Sequence, residues 1–273
     1  EQAFQAMRAK ITQSEHETFL LHGVTSSGKT EVYLRLIKEA LAKGRGVIFM
    51  VSEIALTPQL IGRLTAGLDE RVEVLHSALN DTERYQAWKR LKDGESRIAV
   101  GVRSAVFAPV KNVGLFILDE EHENTYKHSE PPPRYHAHEV AVFRAKLNHA
   151  VVVLGSATPS VESYYKALNG EYRLLELKKR AQSQPLPQVE VINLAAEFKA
   201  GNRSMFSMRL REIMEEALQK KEQIILFLNR RGYASFVLCR ECGTVITCPK
   251  CSLPMTYHKD RDVLKCHYCE QIM

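Results

Sequence analysis

Residues 23–30 read Gly-Val-Thr-Ser-Ser-Gly-Lys-Thr, a complete G-x-x-x-x-G-K-[ST] phosphate loop. Such a loop binds phosphate only when a strand enters it and a helix leaves it. Thr18-Phe19-Leu20-Leu21-His22 supplies a short apolar run before it. After it, Val32, Leu34, Leu36, Ile37, Ala40 and Leu41 recur at helical spacing, so the order is strand, glycine turn, helix. A glycine-rich turn with a stray Lys-Thr is the alternative, and this flanking pattern argues against it. The two glycines let backbone N–H groups of Gly23, Val24, Thr25, Ser26, Ser27 and Gly28 curl around phosphate oxygens. The helix beginning near Gly28 adds its N-terminal dipole. Lys29 is then expected on the β- and γ-phosphates of ATP, and the Thr30 hydroxyl on Mg²⁺.

About ninety residues on, Val113–Leu118 is a continuous apolar run, as expected of a strand buried on both faces. It ends in Asp119-Glu120-Glu121-His122. Carboxylates at the C-terminal edge of a parallel strand sit where open α/β sheets bind ligands. Asp119 suits the Mg²⁺ shell, and Glu120 is placed to orient and deprotonate an attacking water. A solvated turn cap is the alternative for the acidic cluster taken alone.

Further strand-like runs at Val47–Val51, Val72–Leu75, Ile98–Val100 and Val151–Leu154 alternate with helical patterns at Thr57–Leu68, Asp81–Leu91 and His136–Leu147. That alternation predicts an α/β fold with a mostly parallel, RecA-like sheet covered on both faces. A polar, proline-marked stretch at Ala181–Pro187 reads as a linker. Beyond it, strand-like Val189–Ile192, helical Ser207–Lys221 and strand-like Gln223–Leu228 suggest the start of a second α/β unit. At 273 residues, 45% hydrophobic and 26% charged, the chain is long enough for more than one core. No apolar stretch approaches a membrane span, no signal peptide opens the chain, and no membrane partner is expected. The net charge of +6 permits nucleic-acid binding without demanding it. The absence of an initiator Met suggests a fragment.

All six cysteines fall in three Cys-x₂-Cys pairs: Cys239/Cys242, Cys248/Cys251 and Cys266/Cys269. Without a secretory signal, zinc ligation is the natural account, and redox-active dithiols are the rival. Two pairs make one closed tetrahedral site. Cys248, Cys251, Cys266 and Cys269 have the spacing of paired knuckles, leaving Cys239 and Cys242 as half of a second site. The alternative joins Cys239/Cys242 to Cys248/Cys251 across only a short connection. Tyr257, His258 and His267 lie nearby and read better as filler or surface residues than as ligands.

Gly155-Ser156-Ala157-Thr158-Pro159-Ser160 is similar to the Ser-Ala-Thr segment of superfamily 2 helicases, and Asp119–His122 matches their DEEH form. Phe227-Leu228-Asn229-Arg230-Arg231-Gly232-Tyr233-Ala234, followed by the cysteine pairs, resembles the PriA family of bacterial replication-restart helicases. Supporting stretches include Glu53–Gln59, Arg103-Ser104-Ala105, Tyr126-Lys127, Arg134–Ala137 and Gly201–Ser204, so the resemblance spans nearly the whole chain.

The resemblance implies helicase lobe 1 over residues 1–180, a linker and the start of lobe 2 over 181–236, and an incomplete zinc insertion over 237–273. It implies catalytic roles for Lys29, Asp119, Glu120 and His122, and an adenine contact for Gln2. Thr57, Arg103 and Ser104 would follow the DNA strand, joined by Tyr126, Lys127, Arg134 and Tyr135 from an aromatic-rich loop. That loop departs from the family pattern at Pro131-Pro132-Pro133. The implied activity is ATP-driven 3′-to-5′ movement on single-stranded and forked DNA. Implied partners are primosome and single-strand-binding proteins, in the nucleoid of the bacterial cytoplasm. The family's arginine finger would lie beyond Met273, so the isolated chain is expected to be nearly inactive. A double-stranded DNA translocase of superfamily 2 is the runner-up, and the cysteine insertion argues against it.

Overall fold

The computed structural model describes residues 1–52, 58–180, 187–227, 237, 239, 242–258 and 262–273. Two compact units divide at Leu186/Pro187. In the first, seven parallel strands lie in the order β3-β4-β2-β5-β8-β1-β9. They are β1 (Glu17–Gly23), β2 (Gly46–Met50), β3 (Val72–Leu75), β4 (Ile98–Gly101), β5 (Val113–Asp119), β8 (Val151–Ser156) and β9 (Arg173–Leu177). A two-residue antiparallel pair, β6 (Lys127–His128) and β7 (Tyr135–His136), sits apart from the sheet.

Alternation along the strands explains why they read as unbroken apolar runs. Phe19, Leu21, Val47, Phe49, Leu115, Ile117, Val151 and Val153 face one core. There they meet α1 (Gln2–Gln13), α2 (Lys29–Ala42) and α3 (Pro58–Gly67). Leu20, Ile48, Met50, Phe116, Leu118, Val152 and Leu154 face the other core, with α4 (Asp81–Asp93) and α5 (Ala137–Leu147). Both faces are covered, so both positions of the two-residue period are mostly apolar.

Helix α1 and strand β9 are among the elements not anticipated. Helix α1 buries Ala3, Phe4, Met7 and Ile11, a single stripe at helical spacing. Strand β9 is an edge strand and half-exposed, with a correspondingly weak pattern. In the turn after β8, Pro159 lies before the next helix and does not open it. Ser160 caps α6 (Val161–Leu168) by accepting the Ser163 N–H.

The second unit contains α7 (Leu194–Lys199), α8 (Met208–Gln219) and the antiparallel pair β10 (Thr256–His258) and β11 (Val263–Lys265). Val189–Ile192 and the described part of Gln223–Leu228 form no strand, which corrects the sequence expectation. A strand needs a hydrogen-bonded neighbour. None is offered to these segments among the described residues, and Val191, Ile225 and Phe227 are exposed.

Candidate nucleotide site and cysteine ribbon

The order β5-β8-β1 brings three distant segments to one edge of the sheet. Register pairs Asp119 with Gly155, and Gly155 with Leu21. The phosphate loop, the acidic turn and the Ser156–Pro159 segment therefore adjoin at the strands' C-terminal ends, where such sheets bind ligands.

The loop has the backbone its sequence demands. Gly28 caps α2 at φ 89°, and Ser26 also lies in the left-handed region. A Cβ on Gly23 would come within 2.6 Å of Ser27 Oγ. The Ser27 Oγ is itself buried without a hydrogen-bond partner. Lys29 Nζ donates to the Gly23 carbonyl at 2.8 Å. Residues Thr25–Glu31, with Arg63, Asp119 and Glu120, line a cleft of about 800 Å³. Helix α2 opens here, and the N–H groups at its N-terminus fit an anionic phosphate chain. Thr30 and Asp119 in the same cleft offer the hard oxygens that Mg²⁺ prefers. Gln2 is exposed at the start of α1 and is not among the residues lining this cleft.

Asp119 is largely buried. Burial raises its pKa, opposed by a hydrogen bond from Tyr33 and the charge of Lys29. Glu120 is also raised, first by burial and then by Asp119 beside it. Its backbone φ is 48°, strained for a residue with a Cβ. His122 Nδ1 lies 2.8 Å from Ser156 Oγ, which also accepts the Thr158 N–H at 3.0 Å. Motif and segment are thus joined by one hydroxyl.

Glu121, the third residue of the turn, points away from the cleft into the protein. Its carboxylate accepts the Ser160 N–H at 2.7 Å, Ser160 Oγ at 3.0 Å and Ser163 Oγ at 2.8 Å. His138 approaches it at 4.0 Å, but burial holds that imidazole's pKa down to about 3, so it is neutral. Sequence reasoning missed Glu121, Tyr33 and Ser156 as supports, since only strand order brings their partners near.

The expected DNA contacts divide. Ser104, Lys127 and Arg134 are exposed and Tyr135 half-buried. Arg103 donates to the Lys127 carbonyl at 3.1 Å, tying the turn after β4 to the aromatic loop. Tyr135 meets Phe107 edge-to-face at 5.0 Å. Tyr126 requires correction: it is 1% exposed, and its hydroxyl donates to the Asp119 carbonyl at 2.6 Å. That ring is a brace for the acidic turn, with no face for a base. Thr57 lies outside the described residues.

In the second unit, Cys248, Cys251, Cys266 and Cys269 converge, every sulfur within 4.8 Å of the others. The Cys248–Cys269, Cys251–Cys266 and Cys251–Cys269 sulfurs are 3.5, 3.4 and 3.6 Å apart. Zn–S bonds of about 2.3 Å in a tetrahedron imply edges of about 3.8 Å, so the donor set fits zinc and excludes disulfides. Backbone N–H groups of Cys269 and Tyr268 pull the Cys266 thiol down to about 6. This is the first of the two pairings weighed from sequence.

Each knuckle repeats one backbone pattern. Cys248 N–H donates to Leu253 and Ser252 N–H to Cys248; Cys266 and Glu270 do likewise with Gln271 and Cys266. Cys239 N–H donates to Thr244 and Gly243 N–H to Cys239 in the same way. Ser252, Glu270 and Gly243 all have positive φ. Cys239 and Cys242 are nevertheless exposed and outside the four-sulfur group. His258 and His267 pair with each other, their Nε2 atoms 3.2 Å apart, also outside the group.

Comparison with known proteins agrees with this arrangement. The DEAD/DEAH box helicase family matches residues 2–167, and the PriA DNA helicase Cys-rich region (CRR) domain matches residues 248–272. The replication restart protein PriA of Bacillus subtilis is 51% identical over 267 residues, 98% of this chain and 33% of the relative. That of Synechocystis is 45% identical over 97% of this chain and 33% of the relative. The chain thus spans about a third of the length of these curated relatives. A solved structure of RecG bound to a three-way DNA junction shares the fold, at TM-score 0.53 and 20% identity, over 81% of this chain and 27% of that one. Matched over more than half of its residues, with the nucleotide loop and acidic turn at one sheet edge, the chain belongs to the DEAD/DEAH box helicase family and resembles the PriA proteins along nearly its whole length.

Proposed function

We propose that this chain is the ATP-binding part of a DNA helicase that restarts stalled replication forks in the bacterial cytoplasm. The observation that carries the reading is the convergence of phosphate loop, Asp119-Glu120 and the His122–Ser156 link on the ends of β1, β5 and β8. Residues 1–180 serve as helicase lobe 1, residues 181–236 as linker and opening of lobe 2, and residues 237–273 as the zinc insertion. The division at Leu186/Pro187 and the four-cysteine group support this layout.

In this reading the loop's N–H groups, the α2 dipole and Lys29 hold the triphosphate of ATP, and Gln2 reads the base. Thr30 and Asp119 hold Mg²⁺, which when bound neutralises charge on the β- and γ-phosphates. Glu120 takes the proton of the attacking water. The DNA strand crosses Arg103, Ser104, Lys127 and Arg134, with Tyr135 and Phe107 offering a stacking edge. By resemblance, primosome proteins and single-strand-binding protein are the partners.

The test uses the full-length parent, measuring DNA-stimulated phosphate release and displacement of a labelled strand. Lys29→Ala should cost at least about 10²-fold in turnover, as for loss of a group that stabilises developing charge. Near-normal turnover would remove the phosphate loop from the mechanism. His122→Ala breaks the tie to Ser156 and removes an imidazole 3.6 Å from Glu120, so basal ATPase should fall less than DNA-stimulated ATPase. Its stimulation by DNA should drop about 5-fold or more, the lower range of site-to-site coupling. Equal loss of basal and stimulated rates would show that His122 serves chemistry and not coupling.

A further inference from the structure

Asp119 is held at two atoms by two buried phenols. Tyr33 Oη donates to Asp119 Oδ1 at 2.9 Å, and Tyr126 Oη donates to the Asp119 carbonyl at 2.6 Å. Both rings are fully buried. Burial and the nearby carboxylates keep both phenols protonated, so each hydroxyl is a permanent donor. Tyr33 sits on α2 one turn after Thr30, and it must pass over β8 to reach β5.

The crossing point is Gly155, paired in register with Asp119. A Cβ there would lie 1.7 Å from Tyr33 Oη and 2.8 Å from its Cζ. Gly155 has no positive φ, so backbone conformation does not require glycine. Space for the phenol does. The same helix thus supplies the Thr30 hydroxyl to the cleft and, one turn later, the hydroxyl that orients the facing carboxylate.

We infer that Tyr33 is a positioning residue that sets the Mg²⁺ affinity of Asp119, and that Gly155 is the opening that admits it. This rests on the reading of Asp119 as the Mg²⁺ carboxylate. Partners that hydrogen-bond a metal-ligating carboxylate fix its orientation, and losing one weakens metal binding.

The experiment measures binding of a fluorescent ADP analogue to this chain, first in EDTA and then across a Mg²⁺ titration. Tyr33→Phe keeps the ring and should raise the Mg²⁺ midpoint about 10-fold, the lower end for such partners. Binding in EDTA should not change. Gly155→Ala should give a similar shift with the tyrosine still present. The double variant should be no worse than Gly155→Ala alone, because phenylalanine lacks the hydroxyl that the new methyl strikes.

An unchanged or lower midpoint in Tyr33→Phe, while Asp119→Asn raises it, would overturn the positioning role. So would an equal loss with and without Mg²⁺. No shift in Asp119→Asn either would instead overturn the assignment of Asp119, and this inference with it. Additive effects of the two substitutions would remove Gly155 from the argument. Should Gly155→Ala not fold, Tyr33→Phe decides alone.

Discussion

Glu120→Gln in the full-length parent should bind ATP with almost unchanged affinity and lose hydrolysis by about 10²–10⁴-fold, the range for a general base. The amide keeps size and polarity but accepts no proton. Burial, then the charge of Asp119, raises the carboxyl's pKa above the ordinary glutamate value. A base must be ionised, so the rate should fall as pH drops through that raised pKa, and the Gln variant should lack this acid limb. Stability has the opposite sign. A raised pKa means the folded state holds its proton more tightly, so stability declines as pH rises from the unfolded to the folded value. Glu120 therefore costs stability at neutral pH, and Glu120→Gln should melt no lower than the parent. Retained turnover would show that another group activates the water. A lower melting temperature would show that the side chain braces the turn.

Cys266→Ser should release the zinc of the four-sulfur site and unfold the ribbon around β10 and β11. Structural zinc of this type contributes about 10–16 kcal/mol of binding, more than a small ribbon's other contacts supply. Cys248, Met255 and Cys266 form nearly all of the buried core there, so the metal replaces a hydrophobic centre. Cys239→Ser should leave that zinc in place, because its knuckle stands outside the group. Metal analysis after dialysis against a weak chelator should find about one zinc per chain in the parent and in Cys239→Ser, and none in Cys266→Ser. Loss of zinc from Cys239→Ser with retention in Cys266→Ser would reverse the pairing.

What the sequence disclosed depended on whether the physics was local. The phosphate loop was legible because glycines at 23 and 28 and a lysine-threonine pair are needed by the backbone and ligand together. The Cys-x₂-Cys turns were legible for the same reason. The central strands were legible because both faces are covered. Helix α1 carried a usable stripe at Phe4, Met7 and Ile11, overlooked beside the stronger motif that follows. Strand β9 lay at an edge where half-exposure blurs the pattern. Val189–Ile192 and the described part of Gln223–Leu228 had strand composition but lack described neighbours to pair with. The family's aromatic-rich loop put Tyr126 among the DNA contacts, while its hydroxyl is spent on the Asp119 carbonyl. The supporting contacts of Tyr33, Ser156 and Glu121 could not be read, since their partners are set by which strands lie side by side.

The position of β8 between β1 and β5 has a consequence for how the chain acquires its site. During synthesis the loop at 23–30 and the acids at 119–120 emerge well before the strand that separates them. Non-local parallel pairing closes large loops before any contact rewards it, and such sheets fold slowly. Until Val151–Ser156 inserts, β1 and β5 have no shared neighbour, and the Asp119–Gly155 register does not exist. Nucleotide competence should therefore arrive late and all at once. A nascent chain arrested short of residue 150 would leave both edges of β1 and one edge of β5 unpaired, the kind of apolar surface that chaperones engage.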